Sequence, residues 1–188
     1  MKGNPDKKRR KFTALFTAVL AGLFVILSGV SVFPEESGEI PSYTFDPSEA
    51  SYAGEWVDFP ANFQIYMPQG WVVRSLTASE QEEGYLYSAV SPHGKYNIFV
   101  SETVLDTPCT SNDIVSQLNE QQLSGVKKVK VNGITAVVSS IKMQDVNIAA
   151  LSFLSYTGKY LYTIAAGPFD RDFSTVAQEI LISVRPLP

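Results

Sequence analysis

Hydrophobic and polar positions divide the chain into distinct regions. An uncharged, mostly apolar run extends from Phe12 to Phe33. A helix of this length rises about 33 Å, which matches a hydrocarbon core of roughly 30 Å. A stretch rich in Pro, Ser and Glu follows, and regular apolar patterns begin near Glu55. We therefore predict a cytoplasmic basic tail over residues 1–11, a transmembrane anchor helix over residues 12–33, an acidic flexible tether over residues 34–54, and one folded domain over residues 55–188.

Within the domain, alternating apolar residues with β-branched or aromatic side chains indicate a series of strands. The strands are predicted at residues 62–67, 71–74, 85–90, 96–102, 127–131, 134–143, 147–156 and 160–166. The Pro and Gly between Ser91 and Lys95 favour a tight turn, and Asn132-Gly133 is a strong hairpin signal.

Two segments of the domain have the apolar spacing of amphipathic helices. We expect Ser111 or Asn112 to cap the first helix and Gly125 to end it. We expect Asp170 or Asp172 to cap the second, which runs to Val184. The order of strands, helix, strands, helix predicts an α+β fold, in which an antiparallel β-sheet is flanked by helices as an α-β-α sandwich.

Charge predicts how the anchor crosses the membrane. Six basic residues precede the run, and the acidic flank after it has no basic residue before Arg74. By the positive-inside rule the N-terminus is cytoplasmic and the domain is extracytoplasmic, in a single-pass protein of the cell membrane. The alternative is a cleaved signal peptide and a secreted domain. The run is longer than a usual signal core, and the small residues Gly29 and Ser31 are a poor cleavage context, so the uncleaved anchor is favoured.

The composition of the exported part limits its partners. Six of the 15 basic and one of the 19 acidic residues precede Pro34, which leaves 9 basic and 18 acidic residues and a formal charge of −9. This charge argues against nucleic acid as a partner. Ala14, Ala18 and Gly22 lie on one face of the anchor and allow a homodimer through the transmembrane helix, although chance in an Ala-rich helix is the favoured explanation. Aromatic residues in the tether (Tyr43, Phe45 and Tyr52) are expected to dock against the domain.

Candidate chemical groups are few. His93 is the only histidine and lies in a predicted turn, and Cys109 is the only cysteine and precedes the first helix. A thiol enzyme using Cys109 with His93 is conceivable, but no local signature supports it. The carboxylates of Glu80, Glu82 and Glu83 are expected in a solvated loop, and those of Asp170 and Asp172 at a helix start. We therefore predict no catalytic residue, no metal site and no cofactor.

Several phrases of the domain resemble a known family. They are Phe63 to Trp71 (FQIYMPQGW), Val129 to Ala136 (VKVNGITA), Gly158-Lys159-Tyr160 and the closing helix to Ser183. Together they resemble the PsbP-like domain, including its bacterial lipoprotein-like and Mog-type relatives, over about residues 55–184. The resemblance implies an α-β-α sandwich and a non-enzymatic adaptor or assembly role.

The sequence thus predicts a membrane-anchored, extracytoplasmic binding or assembly domain with an envelope protein as its partner. The alternative functions are an exported receptor that holds a small ligand or a metal ion between the sheet and a helix, and the thiol enzyme.

Overall fold

A computed structural model of the chain describes residues 40–143 and 146–187. The helices are α1 (Ala78–Glu82), α2 (Ser111–Glu120) and α3 (Ser174–Ile182), with a 3₁₀ turn at Pro47–Glu49. The strands are β1 (Ser42–Tyr43), β2 (Gly54–Phe59), β3 (Phe63–Pro68), β4 (Val72–Val73), β5 (Tyr85–Val90), β6 (Asn97–Val104), β7 (Ser124–Val131), β8 (Ile134–Met143), β9 (Val146–Leu154), β10 (Tyr160–Gly167) and β11 (Arg185–Pro186). The described part of the chain is an α+β fold, as predicted.

The large sheet contains eight strands in the order β1-β7-β8-β9-β10-β6-β5-β4. Strands β7 to β10 form an antiparallel meander, and β10 then pairs antiparallel with β6. The predicted turns are observed, since Gly94 N donates to Ser91 O (2.8 Å) between β5 and β6, and Asn132 and Gly133 both have positive φ between β7 and β8. The sheet is mixed rather than antiparallel, because β1 pairs with β7 in parallel.

A small sheet and α3 cover one face of the large sheet. The small sheet has the order β11-β3-β2, and α3 contacts β3, β9 and β10. Between these layers lies the main core, where Ile65, Ile98, Leu151, Ile164 and Ile180 are fully buried. Burial of each such side chain stabilises the fold by about 1.5–3 kcal/mol.

Helix α2 packs on the opposite face of the large sheet, where it contacts β7 and β8, and the short helix α1 contacts β5. Ile114 and Leu118 of α2 are buried against Val137 of β8 and Leu161 of β10. The rest of this side, on β9, β10, β6 and β5, carries mostly small or polar side chains. We call it the open face, and it is described with the candidate site below.

The predicted helix boundaries require correction. Thr110 caps α2, not Ser111 or Asn112: its hydroxyl accepts from Asp113 N (3.4 Å) and the Asp113 carboxylate accepts from Thr110 N (2.7 Å). Helix α2 ends before Gly125, because Gln122 adopts the left-handed conformation with φ 59°.

The start of α3 also differs from the prediction. Phe173 is its N-cap residue and makes no side-chain cap. Asp170 instead accepts from the backbone of Asp172 (3.1 Å) and Phe173 (3.0 Å), one turn earlier. Glu80 and Glu82, which were expected in a solvated loop, instead belong to α1, whose capping box joins Thr77 and Glu80.

The segment that leads into the domain is folded onto it. Pro41 O accepts from Lys130 N (2.7 Å), and Tyr43 O accepts from Asn132 N (2.9 Å). The ring of Phe45 packs against those of Trp56 (6.0 Å between centroids) and Tyr66 (5.4 Å). The expected docking of the aromatic residues is therefore observed.

Residues 40–54 of the predicted tether thus belong to the folded unit, whereas residues 34–39 lie outside the described residues. The basic tail and the predicted anchor, residues 1–11 and 12–33, lie outside them as well. None of the helices in the described part of the chain is long and apolar enough to cross a membrane.

Candidate binding face of the large sheet

The centre of the open face is a row of hydroxyl groups on adjacent strands. Ser152 of β9 pairs with Thr163 of β10, and Thr163 pairs with Ser101 of β6. Directly paired residues point to the same side of a sheet, so the three hydroxyls are neighbours. The Ser152 and Thr163 oxygens are 2.9 Å apart. Ser152 and Ser101 are buried, at 1% and 7% exposure, whereas Thr163 is half-buried.

A second row runs beside the hydroxyl row. In this row Ala150 pairs with Ala165, and Ala165 with Phe99. These residues lie two positions along their strands from the hydroxyl row, so they share its face. Alanine, serine and threonine are small, so the floor of the open face is built from short side chains.

Helix α2 forms one border of the open face. The side chain of Asn112 accepts from Lys128 Nζ (2.7 Å), so this flank of α2 is turned toward β7. Gln117 and Gln121 follow five and nine residues later, and at about 100° per residue they lie roughly 140° and 180° around the helix from Asn112. The two glutamines therefore lie on the flank of α2 opposite to that of Asn112, away from β7.

The side-chain oxygens of Gln117 and Gln121 are the least satisfied polar atoms of this border. Both Oε1 atoms are buried and have no hydrogen-bond partner among the described residues. A buried acceptor without a donor costs about 1–3 kcal/mol. Such atoms call for an explanation, and a bound molecule with O–H or N–H donors would supply the missing hydrogen bonds.

The other border is formed by Arg74, which follows β4, and by two aromatic rings on β5 and β6. Arg74 Nε donates to Ser88 Oγ (3.3 Å), and its guanidinium pairs with Glu80, with Nη1 3.1 Å from Oε2. The Arg74 hydrogen bond lowers the pKa of Glu80 to about 2, so the pair carries opposite charges at neutral pH. The Tyr85 ring meets Phe99 edge to face at 5.9 Å, and burial raises the pKa of Tyr85.

These features define the chemistry that the open face offers. The glutamine oxygens are buried acceptors that lack a donor, the hydroxyls can both donate and accept, and Phe99 offers an apolar surface. The charges of Arg74 and Glu80 offset each other at the border. The arrangement therefore suits a neutral molecule with several hydroxyl or N–H groups and a flat apolar side.

Gln117, Gln121 and the hydroxyl row were not predicted as site residues from the sequence. The sequence does contain one signal of this pair. Gln117 and Gln121 are spaced i, i+4 and lie beside the apolar stripe of the helix that contains Ile114 and Leu118. Their lack of partners is visible only in three dimensions.

The two residues considered for a thiol enzyme are not brought together. His93 is exposed in the turn before β6, and Cys109 follows that strand. An eight-residue strand spans roughly 26 Å, so the imidazole and the thiol lie near opposite ends of the sheet. Cys109 is half-buried, its Sγ is 3.5 Å from Thr107 O, and its backbone N donates to Gly158 O (3.0 Å).

The acidic candidates have structural partners. Glu80 pairs with Arg74, and Glu83 accepts from Ser79 Oγ (3.3 Å). Asp170 is 2.9 Å from Lys95 Nζ, whose hydrogen bond lowers the pKa of the Asp170 carboxyl. Within residues 40–143 and 146–187 no group of three His, Cys, Asp or Glu side chains is arranged to hold a metal ion.

Comparisons with known proteins give only distant similarities. No family model matches the chain, and no curated protein matches it significantly. A crystal structure from Bacteroides thetaiotaomicron VPI-5482 is similar over 72% of this chain and 49% of its own, with 13% identity and a TM-score of 0.48. This chain thus spans about half the length of that protein.

LpqN of Mycobacterium tuberculosis, described as involved in cell envelope biogenesis, is similar over 73% of this chain and 87% of its own, with 12% identity and a TM-score of 0.46. Neither description names a PsbP-like domain, so that resemblance stays a prediction.

Proposed function

We propose that the chain is a single-pass membrane protein whose extracytoplasmic, PsbP-like domain binds a component of the cell envelope and is not an enzyme. The anchor and the topology come from the apolar run and the basic residues before it. The binding role is supported by the open face, which α2 borders and the small sheet leaves uncovered.

The single observation that carries this proposal is the pair of buried, unpartnered oxygens of Gln117 and Gln121. We infer that they face the floor of hydroxyls and small side chains, where a ligand with O–H or N–H donors would be held between the sheet and the helix. Neutral saccharides of the envelope have this chemistry, because they carry many hydroxyls and a C–H side that packs on an aromatic ring. An envelope protein, the partner predicted first from the sequence, is the competing occupant.

A thermal-shift series on the full chain in detergent micelles tests the proposal. The probes are neutral mono- and oligosaccharides, with acidic sugars and divalent cations for comparison. A ligand present at 100 times its Kd adds about 2.7 kcal/mol of stability, which raises the melting temperature by several degrees. No shift with any saccharide would contradict the saccharide as ligand.

Matched variants of α2 decide whether the open face is the site. The double variant Gln117→Leu/Gln121→Leu should melt at or above the wild-type temperature, because it removes two unpaired buried oxygens. It should lose the ligand-induced shift. Asn119→Leu, an exposed change on the same helix, should keep that shift. An unchanged shift in the double variant would place the ligand elsewhere.

A further inference from the structure

The turn between β7 and β8 contains the one Asn-Gly step of the sequence, Asn132-Gly133. Asparagine before glycine readily loses its side-chain amide, because glycine has no side chain to shield its backbone nitrogen. That nitrogen can attack Asn132 Cγ and close a five-membered imide ring. In an unfolded chain this reaction needs no enzyme.

The conformation of the turn keeps the two reacting atoms apart. Asn132 and Gly133 both have positive φ (46° and 84°) and connect the paired residues Val131 and Ile134, as in a type I′ turn. In such a turn ψ of the first loop residue is about +30°, so Gly133 N lies about 150° from Cβ around the Cα–C bond of Asn132. The imide ring closes only when these two atoms lie on the same side of that bond. The turn must therefore open before the imide can form.

The side chain of Asn132 is also held in place. Its Oδ1 accepts from Phe45 N (2.9 Å), and its Nδ2 donates to Ile182 O (2.9 Å) and Val184 O (2.8 Å). Nδ2 is the atom that has to leave as ammonia. Each hydrogen bond lowers the population of the released amide about fivefold, so the three together lower it on the order of 100-fold.

The same amide fastens the incoming segment, residues 40–54, to the domain. Phe45 belongs to this segment, whereas Ile182 and Val184 lie at the end of α3. Two backbone hydrogen bonds lie next to the amide, since Lys130 N donates to Pro41 O (2.7 Å) and Asn132 N donates to Tyr43 O (2.9 Å). A chemical change at Asn132 therefore acts on the attachment of the segment.

We propose that Asn132 is a site of spontaneous deamidation that the fold keeps closed, and that its conversion loosens the attachment of the incoming segment. Gly133 N gives up its proton and bonds to Asn132 Cγ, and the Cγ–Nδ2 bond breaks with release of ammonia. Water then opens the imide. It breaks either the new N–Cγ bond, which leaves aspartate, or the main-chain bond between Asn132 C and Gly133 N, which leaves isoaspartate. Water thus replaces ammonia, and no oxidant or reductant takes part.

Both products lack the Nδ2 donor. An oxygen in its place would face Ile182 O and Val184 O, which are acceptors, so the side chain can no longer hold the end of α3. Isoaspartate also adds a methylene carbon to the main chain of the turn. The loss of ammonia makes the change irreversible.

Peptide mapping by mass spectrometry tests the protection. The full chain is kept in detergent micelles at mildly alkaline pH, with and without urea, and aspartate and isoaspartate at position 132 are measured over time. The folded chain should convert on the order of 100-fold more slowly than the chain in urea. A rate within about twofold of that in urea would overturn the protection.

Matched variants test whether the held amide controls the rate. Phe45→Pro removes the N–H that Asn132 accepts, whereas Phe45→Ala removes the ring and keeps the N–H. The proline variant should convert at least about fivefold faster than the alanine variant, and equal rates would overturn the role of the amide. Gly158→Ala destabilises a distant turn and should convert at the wild-type rate. A faster conversion in Gly158→Ala would place the reaction in the globally unfolded chain and overturn the local control.

Amide hydrogen exchange of the full chain tests the consequence. In Asn132→Asp, exchange at Lys130 N should be at least about fivefold faster than in the wild type, because the segment that carries its acceptor, Pro41 O, is loosened. Unchanged exchange at Lys130 N would overturn the loosening, even if the protection is observed.

Discussion

Replacement of Asn132 tests how firmly the incoming segment is joined to the domain. The Asn132 side chain accepts from Phe45 N (2.9 Å) and donates to Ile182 O (2.9 Å) and Val184 O (2.8 Å). One amide thus connects the incoming segment, the β7–β8 turn and the end of α3. Its backbone is left-handed, with φ 46°.

The expected cost of Asn132→Ala follows from these contacts. Three hydrogen bonds contribute about 1 kcal/mol each, and an alanine in the left-handed region adds roughly 1 kcal/mol of strain. The free energy of unfolding should therefore fall by about 4 kcal/mol, a large share of the 5–15 kcal/mol typical of a domain. Asn132→Gly loses the same bonds without the strain and should cost about 3 kcal/mol.

Chemical denaturation of the full chain in micelles measures both variants. Trp56 and Trp71 are the only two tryptophans and both lie in the domain, so their emission reports its unfolding. Asn132→Asp keeps the acceptor for Phe45 but turns a carboxylate toward two carbonyls, and it should be at least as unstable as the alanine variant. A cost below about 1 kcal/mol for Asn132→Ala would refute the reasoning.

Further predictions concern three other positions. Gly158→Ala should destabilise the domain by about 1 kcal/mol or more beyond the effect of Gly94→Ala. Both glycines have positive φ, so the backbone strain is shared. A Cβ at Gly158 would also lie 2.8 Å from Cys109 O, whereas a Cβ at Gly94 would have no atom within 4 Å. Equal melting temperatures would contradict this clash. The pKa of Glu80 is lowered to about 2 from 4.5. Its contribution to the stability of the folded state is therefore complete above pH 4.5 and is lost as the pH falls toward 2. In thermal melts at a series of pH values, the difference in melting temperature between the wild type and Glu80→Gln should shrink as the pH falls across that range. A difference in melting temperature that stays constant would exclude this linkage. Cys109→Ser should leave ligand-induced shifts unchanged, and their loss would favour a role for the thiol.

Local signals predicted the elements that depend on neighbouring residues. Asn132-Gly133 indicated a hairpin because its backbone conformation needs residues that tolerate positive φ. Strands β5 and β8 were predicted with their observed bounds because their apolar pattern is regular. The Thr77–Glu80 capping box is equally local, so α1 could have been predicted from it.

Elements that depend on distant contacts were not predictable in this way. Strand β1 has two residues and forms because the backbone of β7 offers free hydrogen-bonding groups. Strand β2 carries Glu55 and Asp58 on exposed positions and pairs only with β3, which hides its apolar pattern. The open face combines residues from four separate strands and one helix, so sequence spacing could not place them side by side.

The most direct test of the proposed function is a nuclear magnetic resonance titration of the side-chain amides. The full chain, labelled with ¹⁵N and held in micelles, is titrated with a saccharide that raises its melting temperature. The account predicts that the Gln117 and Gln121 amide signals shift in a saturable manner, whereas the exposed Asn119 amide of the same helix stays in place. Saturable shifts at Asn119 alone, or no shift at the two glutamines, would contradict the open face as the binding site.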